Sequence, residues 1–213
     1  MIPLMHDFAG ERVLVVGGGP VGARKARKFA REAEVVVLSP TFEADSYGES
    51  QNVRAAPAPA EAGEWLDRLD PALVVAATDS ADLNAAFERA ADERGLLSNR
   101  ADYAGPRTPG HVVVPATVRD GPVVAAVSTG ARSPALSRHL RQQVESTIDG
   151  AGEMAELTGS LRTELDHLDA ERRRTALRAV VDSDAVWKAL DTESPNPRQV
   201  ATDVIADVTG DSV

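Results

Sequence analysis

A glycine turn set between an apolar strand and a helix constrains this chain more than any other feature. Arg12 to Lys25 reads Arg-Val-Leu-Val-Val-Gly-Gly-Gly-Pro-Val-Gly-Ala-Arg-Lys. Gly17, Gly19 and Gly22 satisfy G-x-G-x-x-G, and Gly18 adds a further glycine. In such a turn the first glycine permits the tight bend, the second lets a pyrophosphate reach the backbone, and the third lets helix pack on strand. The helix N-terminus then presents unpaired N–H groups to the anion. With strand before and helix after, the motif predicts a bound dinucleotide cradled by Gly17, Gly18, Gly19 and Gly22.

The flanking sequence repeats the same alternation. Val35–Leu38 and Leu73–Ala77 are short buried-strand runs, with weaker candidates at Val53–Ala56 and Leu96–Ser98. Helices are expected over Pro20–Arg31, partly over Ala58–Leu69, and over Ala81–Arg94, the last closed by Gly95. Strand and helix in this order predict an α/β fold, a Rossmann-type doubly wound parallel sheet, over residues 1–105. Beyond it, Pro106, Pro109 and Gly110 break the rhythm. Val112–Val114, Thr117–Val118 and Val123–Val127 read as short strands around Asp120-Gly121, better suited to an antiparallel hairpin than to another crossover. Ser133-Pro134 caps a helix reaching about Ile148, which closes a small strand-containing region, 106–149. Gly150 to Gly152 reads as a joint into a helical domain, 150–213. There Leu157, Leu161, Leu165 and Leu168 draw one apolar face, followed by Leu177, Val180 and Val181, then Val186, Trp187 and Leu190. Asn196-Pro197 opens a last helix with Val200, Val204, Ile205 and Val208.

Composition narrows the function. A net charge of −10 argues against nucleic acid or an anionic membrane as partner. Zero cysteines exclude disulfides, thiolate metal sites and a cysteine nucleophile. The four histidines show no metal-ligand spacing, so no protein metal site is expected. No apolar run approaches the ~20 residues of a membrane span, and no secretory signal is visible, so a soluble, cytoplasmic protein is expected. Lysine occurs only at Lys25, Lys28 and Lys188 in this acidic chain, which suits a high-salt, halophilic cytoplasm.

Ligands in doubly wound sheets sit outside the carboxyl ends of the strands, so chemistry-bearing residues are sought there. The second strand ends in Ser39-Pro40-Thr41, without the carboxylate that commonly holds the adenosine ribose. Ser39 or Thr41 is the candidate substitute, with Glu43 nearby. After the third buried run come Thr78 and Asp79, the latter at a position that also serves helix capping. Asp102 follows the fifth strand with no evident capping duty, and an aspartate there acts as a general base if its surroundings tune it. Ser128-Thr129-Gly130-Ala131-Arg132-Ser133 precedes a helix N-terminus, an anion site to which Arg132 adds a fork.

Taken in order, these segments resemble the precorrin-2 dehydrogenase family, the N-terminal module of siroheme synthase. The matching residues are Val15 to Lys25, Val75-Ala-Ala-Thr-Asp79 with Asn84, Asn99-Arg-Ala-Asp102, and Val127-Ser-Thr-Gly-Ala-Arg-Ser-Pro134. The helix with Arg138 and Arg141 and the tail segment Glu171-Arg-Arg-Arg174 continue the match. The resemblance implies oxidation of precorrin-2 to sirohydrochlorin with NAD as hydride acceptor, Asp102 as the base, and Fe2+ insertion as a second activity of some members. It also implies dinucleotide contacts at Pro20, Val21, Pro40 and Thr41, a tetrapyrrole-lining loop at Ser128, Thr129 and Gly130, and a homodimer formed through the middle strands and following helix. The tetrapyrrole substrate is ringed with carboxylates, for which Arg100, Arg107, Arg132 and Arg138 are candidate partners. Two departures adjoin the expected site: the loop from Asp102 to Pro115 is long for the family, and Val112 stands where an aromatic is common. The competing reading is a regulatory domain that senses NAD without catalysis.

Overall fold

Two alternating sets of apolar side chains explain why the first strand, β1 (Arg12–Val16), lies at the centre of a sheet. Val13 and Val15 pack on one face with Ala23 and Ala26 of helix α1 (Pro20–Phe29). Leu14 and Val16 pack on the other with Leu66 of α2 (Ala62–Leu69) and Phe87 of α3 (Ala81–Glu93). A strand buried on both faces belongs in a parallel sheet covered by helices. The computed structural model describes residues 2–103, 110–130, 132–192 and 194–210. Within it β1 pairs in parallel with β2 (Glu34–Ser39) and β4 (Leu73–Ala76), β2 pairs with β3 (Ser50–Arg54), and β4 with β5 (Leu97–Arg100). The order β3-β2-β1-β4-β5 reverses direction between β1 and β4, which places the ligand crevice above their carboxyl ends. The Rossmann-type expectation is met.

One expected strand is not there. Val112–Val114 forms no ladder; His111 alone makes an isolated parallel bridge to Ser98. The Val112 N–H donates to the Ser98 carbonyl at 2.8 Å, and the Asn99 amide donates to the Val112 carbonyl at 2.8 Å. Pro115 follows and has no N–H to extend the pairing. Residues Pro106, Arg107 and Pro109, named in the sequence reading, lie outside the described residues, as does Ala131.

The chain divides into two compact units, Met1–Val114 and Pro115–Val213. In the second, β6 (Ala116–Asp120) and β7 (Val123–Val127) form an antiparallel hairpin whose tip contains Gly121 at φ 49°. Helix α4 (Pro134–Thr147) starts as expected, with the Ser133 hydroxyl accepting from the Leu136 N–H and Pro134 in the first turn. The glycines read as a joint are packed instead. Gly152, in α5 (Ala151–Glu164), sits so close to the hairpin tip that a Cβ would lie 2.8 Å from the Asp120 carbonyl oxygen, and its N–H donates to the Asp120 carboxylate at 2.9 Å. Helices α6 (Ala170–Val181), α7 (Asp184–Thr192) and α8 (Pro197–Thr209) complete this unit. Leu161, Leu165, Val180, Val186 and Ile205 are fully buried among them, so the leucine stripe forms core as expected. Val208, placed on the same stripe by periodicity, is 47% exposed.

Candidate active site at the carboxyl ends of the first unit's strands

The glycine turn is shaped by backbone contacts that leave no room for side chains. Gly17 has φ 121°, and a Cβ there would stand 2.4 Å from the Ala77 carbonyl oxygen. At Gly18 it would meet the Thr41 carbonyl oxygen at 2.0 Å, and at Gly22 the Gly17 carbonyl oxygen at 2.0 Å. The Gly18 carbonyl accepts from the Glu43 N–H at 3.0 Å and from the buried Tyr47 hydroxyl, which fixes the turn against the segment after β2. Gly19 differs. Its nearest neighbour would be the Glu43 carboxylate, 4.0 Å away, and it caps α1 without any side-chain bond. The first N–H groups of α1, with Pro20 and Val21 exposed beside them, thus open onto free space. That is the cradle a pyrophosphate requires, so the residues present fit a dinucleotide.

At the tip of β2, Ser39 is only 4% exposed and packs against Gly18, whereas Pro40 and Thr41 are exposed. Of the two hydroxyls proposed to stand in for a ribose carboxylate, Thr41 is therefore the accessible one. Arg54 of β3 donates to the Pro40 carbonyl at 3.0 Å and closes this corner.

The turn after β4 is held by Asn84, which is completely buried. Its amide oxygen accepts from the Thr78 N–H at 3.1 Å and the Thr78 hydroxyl at 2.7 Å, and its NH2 donates to the Thr78 carbonyl at 3.0 Å. Helix capping falls to Ser80, whose hydroxyl accepts from the Leu83 N–H. Asp79, which capping would have explained, is exposed and free of that duty.

Asp102 stands just past the end of β5, and its two carboxylate oxygens meet the Arg100 guanidinium edge-on: Nε at 3.1 Å and Nη2 at 2.7 Å. Arg100 holds the Asp102 pKa below the usual carboxylate range; desolvation works against it and Asn84 adds to it. The other end of the guanidinium, Nη1, reaches Glu88 of α3 at 3.2 Å. Glu88 in turn lies 3.2 Å from the His111 ring, and Asp92 lies 3.7 Å from the same nitrogen. The Tyr103 ring lies 5.3 Å from the Arg100 guanidinium carbon. The sequence reading did not contain this network, yet a signal existed: Asn84, Glu88 and Asp92 recur every fourth residue, one polar stripe along α3.

Across the sheet, Lys25 of α1 donates to the Asn99 side chain at 3.1 Å. Burial, helped by Lys28 and Arg24, lowers the Lys25 pKa to about 8. Through Asn99 and the Val112 carbonyl it helps to fasten the returning end of the loop that begins at Asp102.

In the second unit, the Ser128–Ser133 turn is closed by Thr129. Its hydroxyl donates to the Ser133 carbonyl at 3.0 Å and lies 2.7 Å from the Ser137 hydroxyl. Gly130 adopts φ 62°, and Ser128, Gly130 and Arg132 are exposed. Among the described residues no group of three metal-ligating side chains occurs, and no helix is long and apolar enough to cross a membrane.

Comparison with known proteins agrees with this geometry. The family described as "Putative NAD(P)-binding" matches residues 4–116. A precorrin-2 dehydrogenase of Methanosarcina barkeri is 33% identical over 87% of this chain and 85% of its own length. A siroheme synthase of Pectobacterium atrosepticum is 36% identical over 81% of this chain but only 36% of its own length, and one from Stutzerimonas stutzeri is 31% identical over 97% of this chain and 44% of its own. The chain thus spans under half of these longer relatives. The solved structure of SirC, a precorrin-2 dehydrogenase, shares the fold with a TM-score of 0.68 at 23% identity, over 91% of this chain and 98% of that one. With a relative matched along most of both chains and the glycine cradle in place, this chain belongs to the precorrin-2 dehydrogenase family.

Proposed function

We propose that this protein oxidises precorrin-2 to sirohydrochlorin, with NAD as cofactor and Asp102 as the base. The observation that carries the reading is a carboxylate fixed at the carboxyl end of β5, in the same sheet whose glycine turn opens a pyrophosphate cradle at Gly19. NAD+, when bound, supplies the hydride acceptor. The oxidation removes two electrons and one proton as hydride, and a second proton leaves to a base. Gly17, Gly18 and Gly22 hold the turn, Gly19, Pro20 and Val21 present the helix N-terminus, and Thr41 takes the ribose. The Thr78–Asn84 staple keeps the turn carrying Asp79 in place beside the nucleotide. Ser128, Gly130 and Arg132 contact the tetrapyrrole on an anion-binding turn that Thr129 holds in shape.

Precorrin-2 and NAD+ supplied anaerobically should give the sirohydrochlorin spectrum, and Asp102→Ala should keep NAD+ affinity while losing most turnover. Full activity in that variant removes Asp102 from its role. NAD+ binding with no turnover by the native chain, at low or high salt, supports the sensor reading instead. Fe2+ insertion into sirohydrochlorin by the same aspartate is the finer part of the proposal, read by the siroheme spectrum after Fe2+ is added.

The same reading includes a homodimer through β6, β7 and α4. In support, α4 buries no residue within one chain, and Leu136 is 47% exposed. Sedimentation should show a dimer that Leu136→Glu dissociates. A high-salt habitat is proposed from the acidic, lysine-poor composition; stability without KCl would count against it.

A further inference from the structure

Asp102 as found is poorly placed to accept a proton, since one guanidinium edge occupies both of its oxygens and holds it ionised. A base engaged this way must be released before it can act. The arrangement around Arg100 shows how. The guanidinium uses two separate edges: Nη1 points to Glu88, while Nε and Nη2 point to Asp102. The Glu88 end is the anchored one, with side chains of Arg100 and Glu88 only 15% and 16% exposed and His111 closing behind Glu88. The Asp102 end is open, its side chain 27% exposed. If Asp102 moves away, Glu88 and the Tyr103 ring still hold the guanidinium, and a planar two-donor edge faces solvent. That edge matches a carboxylate, and lysine could not present it.

We propose that Arg100 exchanges carboxylates: in the substrate-free chain its Nε–Nη2 edge holds Asp102, and a carboxylate of the substrate takes that edge and releases Asp102 as the base. The substrate class is a polycarboxylate. Exchange keeps the guanidinium fully paired throughout. It also ties the base to the occupied site, because Asp102 regains ordinary basicity only when an acid stands in its place. The inference rests on the reading of Asp102 as the base of a carboxylate-bearing substrate.

A binding cycle tests it without turnover. The probe is uroporphyrin, a polycarboxylate porphyrin, titrated by fluorescence against the full chain. Arg100→Met should weaken binding about tenfold. Asp102→Asn should tighten it about threefold to tenfold, because Arg100 no longer has to leave a charged, two-oxygen partner. In the Arg100→Met background, Asp102→Asn should change nothing. No tightening by Asp102→Asn overturns the exchange. An equal gain in both backgrounds overturns it too, since that is the effect of removing one negative charge anywhere nearby. Unchanged NAD+ affinity in each variant shows that the site still folds. Turnover of precorrin-2 by the native chain separates the two ideas: absent turnover with the cycle intact defeats the catalytic reading and leaves the exchange, whereas turnover without the cycle does the reverse.

Discussion

The glycine turn after β1 and the loop after β5 stand at the same end of one sheet, yet they are built from different interactions. The glycine turn is made of backbone: three positions where a Cβ would lie 2.0–2.4 Å from a carbonyl oxygen, and a fourth, Gly19, left open. Asp102 is instead placed by charge, through Arg100 to Glu88 and His111. A backbone cradle is formed before any ligand arrives and changes little when one binds. A network of charged forks has alternative pairings, so it can respond. On the proposed reading, the oxidant's site is rigid and the base's site is exchangeable.

The sharpest test of that contrast is chemical. Asp102→Asn should lower turnover by about a hundredfold to ten-thousandfold while NAD+ affinity, measured calorimetrically, stays unchanged. A parallel fall in NAD+ affinity would mean that the two sites are one structural unit. Next come the glycines themselves. Gly18→Ala forces a methyl onto the Thr41 carbonyl and should cost about 3 kcal/mol in urea unfolding. Gly19→Ala meets only the Glu43 carboxylate, 4.0 Å away, and has φ −81°, so stability should stay within about 1 kcal/mol while NAD+ binding weakens about tenfold or more. Equal losses of stability at both positions would contradict a cradle open only at Gly19.

A smaller effect is expected from Lys25, whose folded pKa of about 8 lies below its ordinary value of 10.5. Between those values the unfolded chain binds the proton more strongly, so stability should rise with pH across that window, by about 2 kcal/mol after allowance for solvent access. Lys25→Met should abolish the rise, and an unchanged pH profile in that variant would assign it to another group. Smallest of all, Ser80→Ala should cost about 1 kcal/mol of stability, and Asp79→Ala much less, because Ser80 makes the cap. The opposite ranking in thermal unfolding would return the capping role to Asp79.

Asp102 gives a pH slope of the same sign, in the acid range. Arg100 depresses its pKa, so the pair contributes stability that is present above the ordinary aspartate value of ~3.9 and is lost as pH falls further.

Much of this was legible in residue order. Val13–Val16, Val35–Leu38 and Leu73–Ala77 are apolar runs too short for helices, and the glycines between the first run and its helix admit few other conformations. The leucine stripe of the second unit followed from helical period in the same way. The failures are of another kind. Val112–Val114 has β-branched composition, but a strand needs a ladder, and the pairing with β5 stops at the single His111 bridge and the Val112 bonds before Pro115. Gly152 looked like a joint because glycine is common in joints; here the absent Cβ admits the Asp120 carbonyl. Asp102 was found as a carboxylate at the right end of a strand, while its partner two residues earlier passed as a general substrate cation.

The sequence alone determined the sheet, its parallel order and the dinucleotide turn, because these depend on local apolar period and on glycine sterics over a few neighbouring residues. The tertiary structure decided the electrostatic state of Asp102. Arg100 ends β5, Glu88 lies on α3 and His111 stands at an isolated bridge, and only folding sets their separations. Charge interactions depend steeply on those distances and on burial, neither of which can be read from sequence spacing.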